Sequence, residues 1–248
     1  MNTHILVFFC FNNVEHIKMS FDSMYQDNID YFIVENKSNY SEEIVKYFLE
    51  QKKIKNNLVG YIQFEKNIVA NAINIFLKEY GDFLRKYDYI TITDGDYYIY
   101  DMKSTMQEIF GAFNNGDCAI SSVDLYPLSN WRNPNRRIGT NYYVDYMNNR
   151  ANMSPISVVG IGVPALMTLK KKDLFILETI YYYDGNIRNK LHEINKSWYI
   201  TVKNLAYHLT DDLCYDEHNG DAYMTWKRSL DREKLWHVTE ISNYQTII

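Results

Sequence analysis

Asp94 and Asp96, separated by one glycine, close the run Tyr87-Asp88-Tyr89-Ile90-Thr91-Ile92-Thr93-Asp94-Gly95-Asp96, where β-branched and aromatic residues give way to two carboxylates. Carboxylates so spaced at a strand's end can share a hard divalent cation, Mn²⁺ or Mg²⁺, whose other positions prefer phosphate oxygens. A second reading stays open. Asp-Gly is also a hairpin signal, with Thr91-Ile92-Thr93 and Tyr97-Tyr98-Ile99-Tyr100 as the two arms.

Other chemistry-bearing residues stand at element ends. Glu35 follows the apolar Phe32-Ile33-Val34 and reads either as a site acid or as a solvated loop acid. Asn67 can cap a helix. Asp184, in Tyr181-Tyr182-Tyr183-Asp184-Gly185-Asn186, opens a segment bearing Ile187, Leu191 and Ile194; it can be an N-cap, a general base, or both. His208, followed by Asp211 and Asp212, can join carboxylates on Mn²⁺ or serve as a hydrogen-bonding structural residue. Trp131 with Arg132, Arg136 and Arg137 forms the most basic aromatic patch, suited to stacking on a sugar and pairing with phosphate, or else an exposed loop with scattered charge. Gly160-Ile161-Gly162-Val163 lacks the third glycine of a dinucleotide loop and does not follow the first strand, which excludes that reading.

The elements that must position these residues follow a strand–helix alternation. Strands are expected at 4–11, 30–35, 58–64 and 88–93, each an apolar run bounded by polar residues. Val14, Ile17, Phe21 and Met24 recur at helical spacing between the first two. A second helix, capped by Asn39 or Ser41, carries Ile44, Val45, Phe48 and Leu49; a third follows Asn67 with Val69, Ile73, Phe76 and Tyr80. A helix at 103–114 and a buried strand at Cys118–Val123 come next. The pattern breaks over 126–155, which holds three of the four prolines and reads as a mobile insertion. Beyond it lie an apolar segment Ile156–Leu169, helices near 173–180 and from Asp184 to Ile194, and a strand at Trp198–Val202 leading into Ala206-Tyr207-His208. Alternation of this kind predicts an α/β fold, a mostly parallel sheet covered by helices on both faces.

Composition sets the outer bounds. With 248 residues, 46% of them hydrophobic, the chain can bury about 70–75% of its unfolded surface. A net charge of -5 excludes a general nucleic-acid binder, whose affinity needs a concentrated basic surface. Cys10, Cys118 and Cys214 are far apart and form no CxxC pair, so neither a disulfide framework nor a structural zinc site is expected, and a reducing compartment fits. Ile5-Leu6-Val7-Phe8-Phe9-Cys10-Phe11 is too short for a transmembrane segment and has no basic leader, which makes it a buried strand of a cytoplasmic protein. The 23 tyrosines are either sugar-stacking surface or the bias of an AT-rich genome.

In this order, the first strand ending at Asn12-Asn13, the second ending Phe32-Ile33-Val34-Glu35-Asn36-Lys37-Ser38, the Asn67 to Asn71 helix start and Asp94-Gly95-Asp96 resemble the nucleotide-sugar-dependent glycosyltransferases of the GT-A fold, closest to the family 2 group. The resemblance covers roughly residues 4–210, without the 126–155 insertion. It implies a single Rossmann-like GT-A domain, with 1–125 as the nucleotide-sugar half and 126–248 as the acceptor half. It also implies a UDP- or GDP-linked donor, a glycan or lipid-linked acceptor, a place in surface polysaccharide or glycoconjugate synthesis, and work in the cytoplasm or at the inner face of a membrane. By the same resemblance Glu35 faces the nucleobase, where aspartate is more usual, and Asn67 and Asn71 lie near ribose and diphosphate. Asp96 would hold the metal directly, Asp94 would face the ribose or a metal-bound water, and His208 would be a further ligand. Asp184 would be the base of an inverting reaction, although the family more often shows a paired acidic motif; Gly160 and Gly162, with Trp131 and Arg132, would line the acceptor side.

Two other classes compete. A phosphatase of the haloacid-dehalogenase type also uses Asp-x-Asp after a strand, but its nucleophile ends the first strand and a Thr or Val stands where this chain has Tyr98. A non-catalytic glycan-binding protein on the same fold is the other; Asp94, Asp96 and Asp184 speak against it.

Overall fold

A computed structural model describes residues 3–68, 71–126, 165–179, 184–209 and 243–248. The elements run β1 (His4–Cys10), α1 (Val14–Met24), β2 (Asp30–Glu35), α2 (Ser41–Ile54), β3 (Leu58–Phe64), α3 (Asn71–Leu84), β4 (Tyr89–Asp94), β5 (Tyr97–Ile99), α4 (Met102–Ala112), β6 (Cys118–Tyr126), β7 (Ala165–Lys170), the one-turn α5 (Phe175–Glu178), α6 (Asp184–Glu193), β8 (Ser197–His208) and β9 (Tyr244–Thr246). The strands form one sheet in the order β5-β8-β6-β7-β4-β1-β2-β3-β9. β1, β2, β3, β4, β6 and β8 run one way, and β5, β7 and β9 oppose them.

β1 shows why the sheet is covered twice. All seven of its residues are buried, as expected of a central parallel strand. Ile5, Val7 and Phe9 join one core cluster with α3, α5 and α6, while Leu6, Phe8 and Cys10 join another with α1, α2 and α4. The two-residue period of a strand sends alternate side chains to opposite layers. Phe21 and Phe48 are fully buried in the second cluster and meet edge to face at 5.1 Å. Burying a ring of that size contributes on the order of 3 kcal/mol.

The four early strands lie within a residue of expectation. Helix ends differ more. α2 starts at Ser41 behind Tyr40, which makes no side-chain cap bond; the Ser41 hydroxyl instead accepts from Ser38 N–H at 2.9 Å. The described part of α3 runs from Asn71, four residues after Asn67. The helix expected at 173–180 is a 3₁₀ turn, Lys171–Asp173, followed by α5. Ala206-Tyr207-His208 is no separate element but the end of β8.

A buried polar chain ties the middle of the sheet. Thr168 Oγ1 donates to the Leu166 carbonyl at 2.9 Å and therefore accepts from Thr91, 2.7 Å away; Thr91 in turn accepts from His4 Nε2 at 2.7 Å. A carbonyl can only accept, so the chain has one direction and fixes the proton of His4 on Nε2. Leu166 takes a left-handed φ of 56°, where β7 carries an extra residue against β6: Ala165 to Thr168 spans Val123 to Ser121. Burial pushes the His4 imidazole down to about 3.

Candidate active site

The carboxyl ends of the six co-directional strands share one edge, where α/β folds place their ligands. At β1, Asn12 adopts φ 67°, a conformation asparagine tolerates, and Asn13 Oδ1 accepts from His16 N–H at 3.1 Å to cap α1. Beside it, Glu35 registers with Cys10, and Asn36 N–H donates to the Cys10 carbonyl at 3.0 Å. Asn36 Oδ1 receives Ile68 N–H at 3.2 Å, which holds the chain leading toward α3 against the end of β2.

Glu35 is no solvated loop acid: its exposure is 0%. Its Oε2 accepts from the Tyr61 hydroxyl and from Gln63 Nε2 at 2.9 Å, and Gln63 Oε1 receives Gln245 Nε2 at 2.7 Å. Oε1 of Glu35 has no hydrogen-bond partner among the described residues. Burial, followed by the Glu35 charge, pushes the Cys10 thiol well up, and burial likewise raises the Tyr61 phenol. Sequence reasoning missed Tyr61, Gln63 and Gln245. One signal for Gln63 was present: a lone polar residue inside the apolar run of β3, in register with Glu35.

Asp94 registers with Phe9 and ends β4. Asp94 is exposed, Gly95 buried and Asp96 half-buried. A Cβ on Gly95 would stand 3.0 Å from the Phe8 ring, 3.1 Å from the Phe9 carbonyl oxygen and 3.2 Å from Cys10 Cβ, so any side chain there requires the end of β1 to give by a few tenths of an ångström. The turn is real, yet the hairpin is not. β4 pairs with β1 and β7, whereas β5 pairs with β8, so the two expected arms never meet. β5 sets Tyr97 opposite His208, and Leu209 N–H donates to the Asp96 carbonyl at 2.7 Å. The end of β8 is thereby fixed beside Asp94-Gly95-Asp96.

Asp184 is the first residue of α6. β8 begins with Ser197 in register with Cys118 at the amino edge of the sheet, and α6 ends just before it and packs along it. The helix therefore runs back across the sheet, about 15 Å for its length, with Asp184 toward the carboxyl edge. Asn71 opens α3 on the same side as Asn67, which is exposed. Trp131, Arg132, Arg136, Arg137, Gly160, Gly162, Asp211, Asp212 and most of the 126–155 insertion lie outside the described residues.

Among the described residues no group of three or more His, Cys, Asp or Glu side chains gathers as a metal cluster. The donor set at the turn nonetheless fits a Mg²⁺- or Mn²⁺-type ion, which binds through one or two carboxylates and completes its shell with substrate phosphates and water. Cys10 and Cys118 are buried free thiols. No helix among the described residues is long and apolar enough to cross a membrane.

The sheet order and covering helices define an α/β, GT-A-like fold. CMP:2-keto-3-deoxy-manno-octonic acid synthetase, solved with CTP, matches with a TM-score of 0.50 and 9% identity over 92% of this chain and 100% of that one. That likeness shows the fold alone. A protein assigned as a nucleotide-diphospho-sugar transferase from Desulfovibrio desulfuricans aligns at TM-score 0.49 and 9% identity, covering 97% of this chain and 100% of its own. UTP-bound UGPase from Acinetobacter baumannii aligns at 0.47 and 10%, covering 93% and 100%. No family model matches the sequence. Two uncharacterized proteins of Acanthamoeba polyphaga mimivirus are similar in sequence: one is 30% identical over 219 residues, 83% of this chain, and the other 29% identical over 250 residues, 95% of this chain. The chain spans 43% and 27% of the lengths of these two relatives.

Proposed function

We propose that the chain is a metal-dependent glycosyltransferase of the family 2 type, moving a hexosyl group from a UDP- or GDP-linked donor to a hydroxyl of a glycan or lipid-linked acceptor, with inversion, in cytoplasmic synthesis of polysaccharide or glycoconjugate. The observation that carries this reading is the Asp94-Gly95-Asp96 turn, wedged against the end of β1 and bonded to the end of β8 at the carboxyl edge. Asp96 and Asp94, with His208, would hold Mn²⁺ or Mg²⁺, which when bound offsets the charge that gathers on a departing diphosphate. Glu35, Asn67 and Asn71 would orient base, ribose and diphosphate.

In the reaction the acceptor oxygen forms a bond to the anomeric carbon as the bond from that carbon to the diphosphate oxygen breaks. The bonding pair leaves with the nucleoside diphosphate, and Asp184 takes the acceptor proton. Asp184, in the first turn of a helix that begins toward the site edge, suits a fixed base.

The test is a panel of nucleotide sugars with Mn²⁺ or Mg²⁺, measuring nucleoside diphosphate released with and without acceptors. Release from at least one donor supports the reading. A chain that releases none, or that instead forms pyrophosphate from a nucleoside triphosphate and a sugar acid, is not a glycosyltransferase.

A further inference from the structure

The ribbon that closes the sheet beside the donor turn has two unlike faces. Tyr97, Ile99 and Ala206 are buried in the core cluster shared with α1, and Ile99 N–H donates to Ser23 Oγ at 3.0 Å. Tyr98 alternates outward, half-buried and opposite Tyr207, which is 44% exposed; Tyr100, the next residue past the end of β5, is 84% exposed. Tyr31 and Tyr61 on β2 and β3 lie fully inside, and Tyr89 and Tyr244 on β4 and β9 are half-buried. The outward pair Tyr98–Tyr207 and the exposed Tyr100 that follows it lie close together at this edge of the sheet.

We infer that Tyr98, Tyr100 and Tyr207 form the platform on which a neutral glycan acceptor stacks, an inference resting on the transferase reading above. A pyranose ring offers a face of C–H groups that packs on an aromatic ring, and its hydroxyls can bond the phenols at the rim. These three side chains carry no charge, which matches a neutral sugar and not a phosphate or an acidic peptide. The platform is also continuous with the donor site. Asp96 precedes Tyr97 directly, and at about 3.3 Å per residue Tyr98 and Tyr100 lie roughly 7 and 13 Å along the chain from Asp96, the reach of two to three sugar rings. A second copy of the chain is a poorer occupant. With roughly 200 Å² to each ring, the observed exposures fall well short of the roughly 800 Å² per partner that a stable dimer buries.

The full chain is titrated with neutral tetra- to hexasaccharides of glucose, mannose, galactose and N-acetylglucosamine in α and β linkages, alongside UDP and GDP with Mn²⁺. The variants are Tyr100→Ala/Tyr207→Ala and Tyr100→Phe/Tyr207→Phe, each checked for an unchanged melting profile. The native chain should bind at least one oligosaccharide, the alanine pair should lose about tenfold or more in that affinity, and the phenylalanine pair should keep most of it. Nucleotide affinity should stay the same in all three. Failure of the native chain to bind any oligosaccharide, or equal binding by the alanine pair, overturns the platform, as does self-association that the alanine pair abolishes in place of glycan binding. The two readings separate: nucleotide release with glycan binding indifferent to the tyrosines sinks the platform alone. Tyrosine-dependent glycan binding without release from any donor sinks the transferase alone.

Discussion

Lowering the pH from 7 to 5 should destabilise the fold through one residue, His4. Its ring is 5% exposed, packed edge-on against Phe110 at 5.4 Å and bonded through Nε2 to Thr91. Burial lowers its pKa from 6.5 to about 3, so over that interval the unfolded chain takes up a proton that the folded chain refuses. Stability is complete above pH 6.5 and falls as the pH drops through the window toward 3. At pH 5 the unfolded side chain lies about 1.5 units below its pKa, which at 1.36 kcal/mol per unit amounts to about 2 kcal/mol lost relative to neutrality. The control is His4→Gln, which can keep a donor toward Thr91 and does not titrate. Urea unfolding of both proteins at half-unit steps from pH 7.5 to 5 should give curves that diverge by that amount at the acid end. Parallel curves would refute the buried neutral imidazole. The matter bears on function, because the His4-Thr91-Thr168 chain anchors β4, which delivers Asp94. An acid fall in activity therefore has to be separated from loss of fold before it is ascribed to a catalytic group.

Three further outcomes are expected. Asp96→Ala should abolish Mn²⁺-dependent binding of UDP or GDP in calorimetry while circular dichroism and melting stay native, since the turn adds little to either core cluster; undiminished metal-dependent affinity would remove Asp96 from the ligand set. Gly95→Ala should cost about 1–3 kcal/mol in denaturant unfolding and weaken nucleotide binding too, because its Cβ must displace the Phe8 ring or the Phe9 carbonyl at 3.0 and 3.1 Å. Asp184→Asn should retain donor affinity and slow turnover by about 10²–10⁴-fold; a near-native transfer rate would pass the role of base to Asp211, Asp212 or a retaining mechanism.

The legible part of this fold was the part written locally. β1 to β4 announce themselves as apolar runs, and the helical spacing of Val14, Ile17, Phe21 and Met24 marks α1. What escaped was set by distant partners. Asp94-Gly95-Asp96 carries a hairpin signal that no window of ten residues could dismiss, because the strand claiming β5 lies about a hundred residues onward at Ala206–His208. Glu35 followed by Asn36-Lys37-Ser38 looks solvated, and only Tyr61 and Gln63 on the neighbouring strand make its burial tolerable, by supplying the donors that a buried carboxyl needs. The chain leading into α3 shows a related dependence. Ile68 N–H, beside Asn67, is held by Asn36 from the end of β2, a tie that no local pattern around 67–71 shows.

These distant partners have a common consequence: the carboxyl edge is braced from both ends of the strand order. On one side β9 pairs with β3, setting Gln63 opposite Gln245, whose amide meets the Gln63 side chain and through it Glu35. On the other, β8 closes on β5 and bonds the Asp96 carbonyl. Glu35 and Asp96 thus each owe their position to a strand from the second half of the chain, although both sit in its first half. The first half of the chain folded alone would keep the parallel core of β1 to β4 and lose both braces. Its helices could still pack on both faces of the sheet, but Glu35 would lack the Gln245 support for its Gln63 donor, and the turn at Asp96 would lack its tie to Leu209. Glu35 and the Asp96 turn stand in the first half, and partners from the second half fix where they stand.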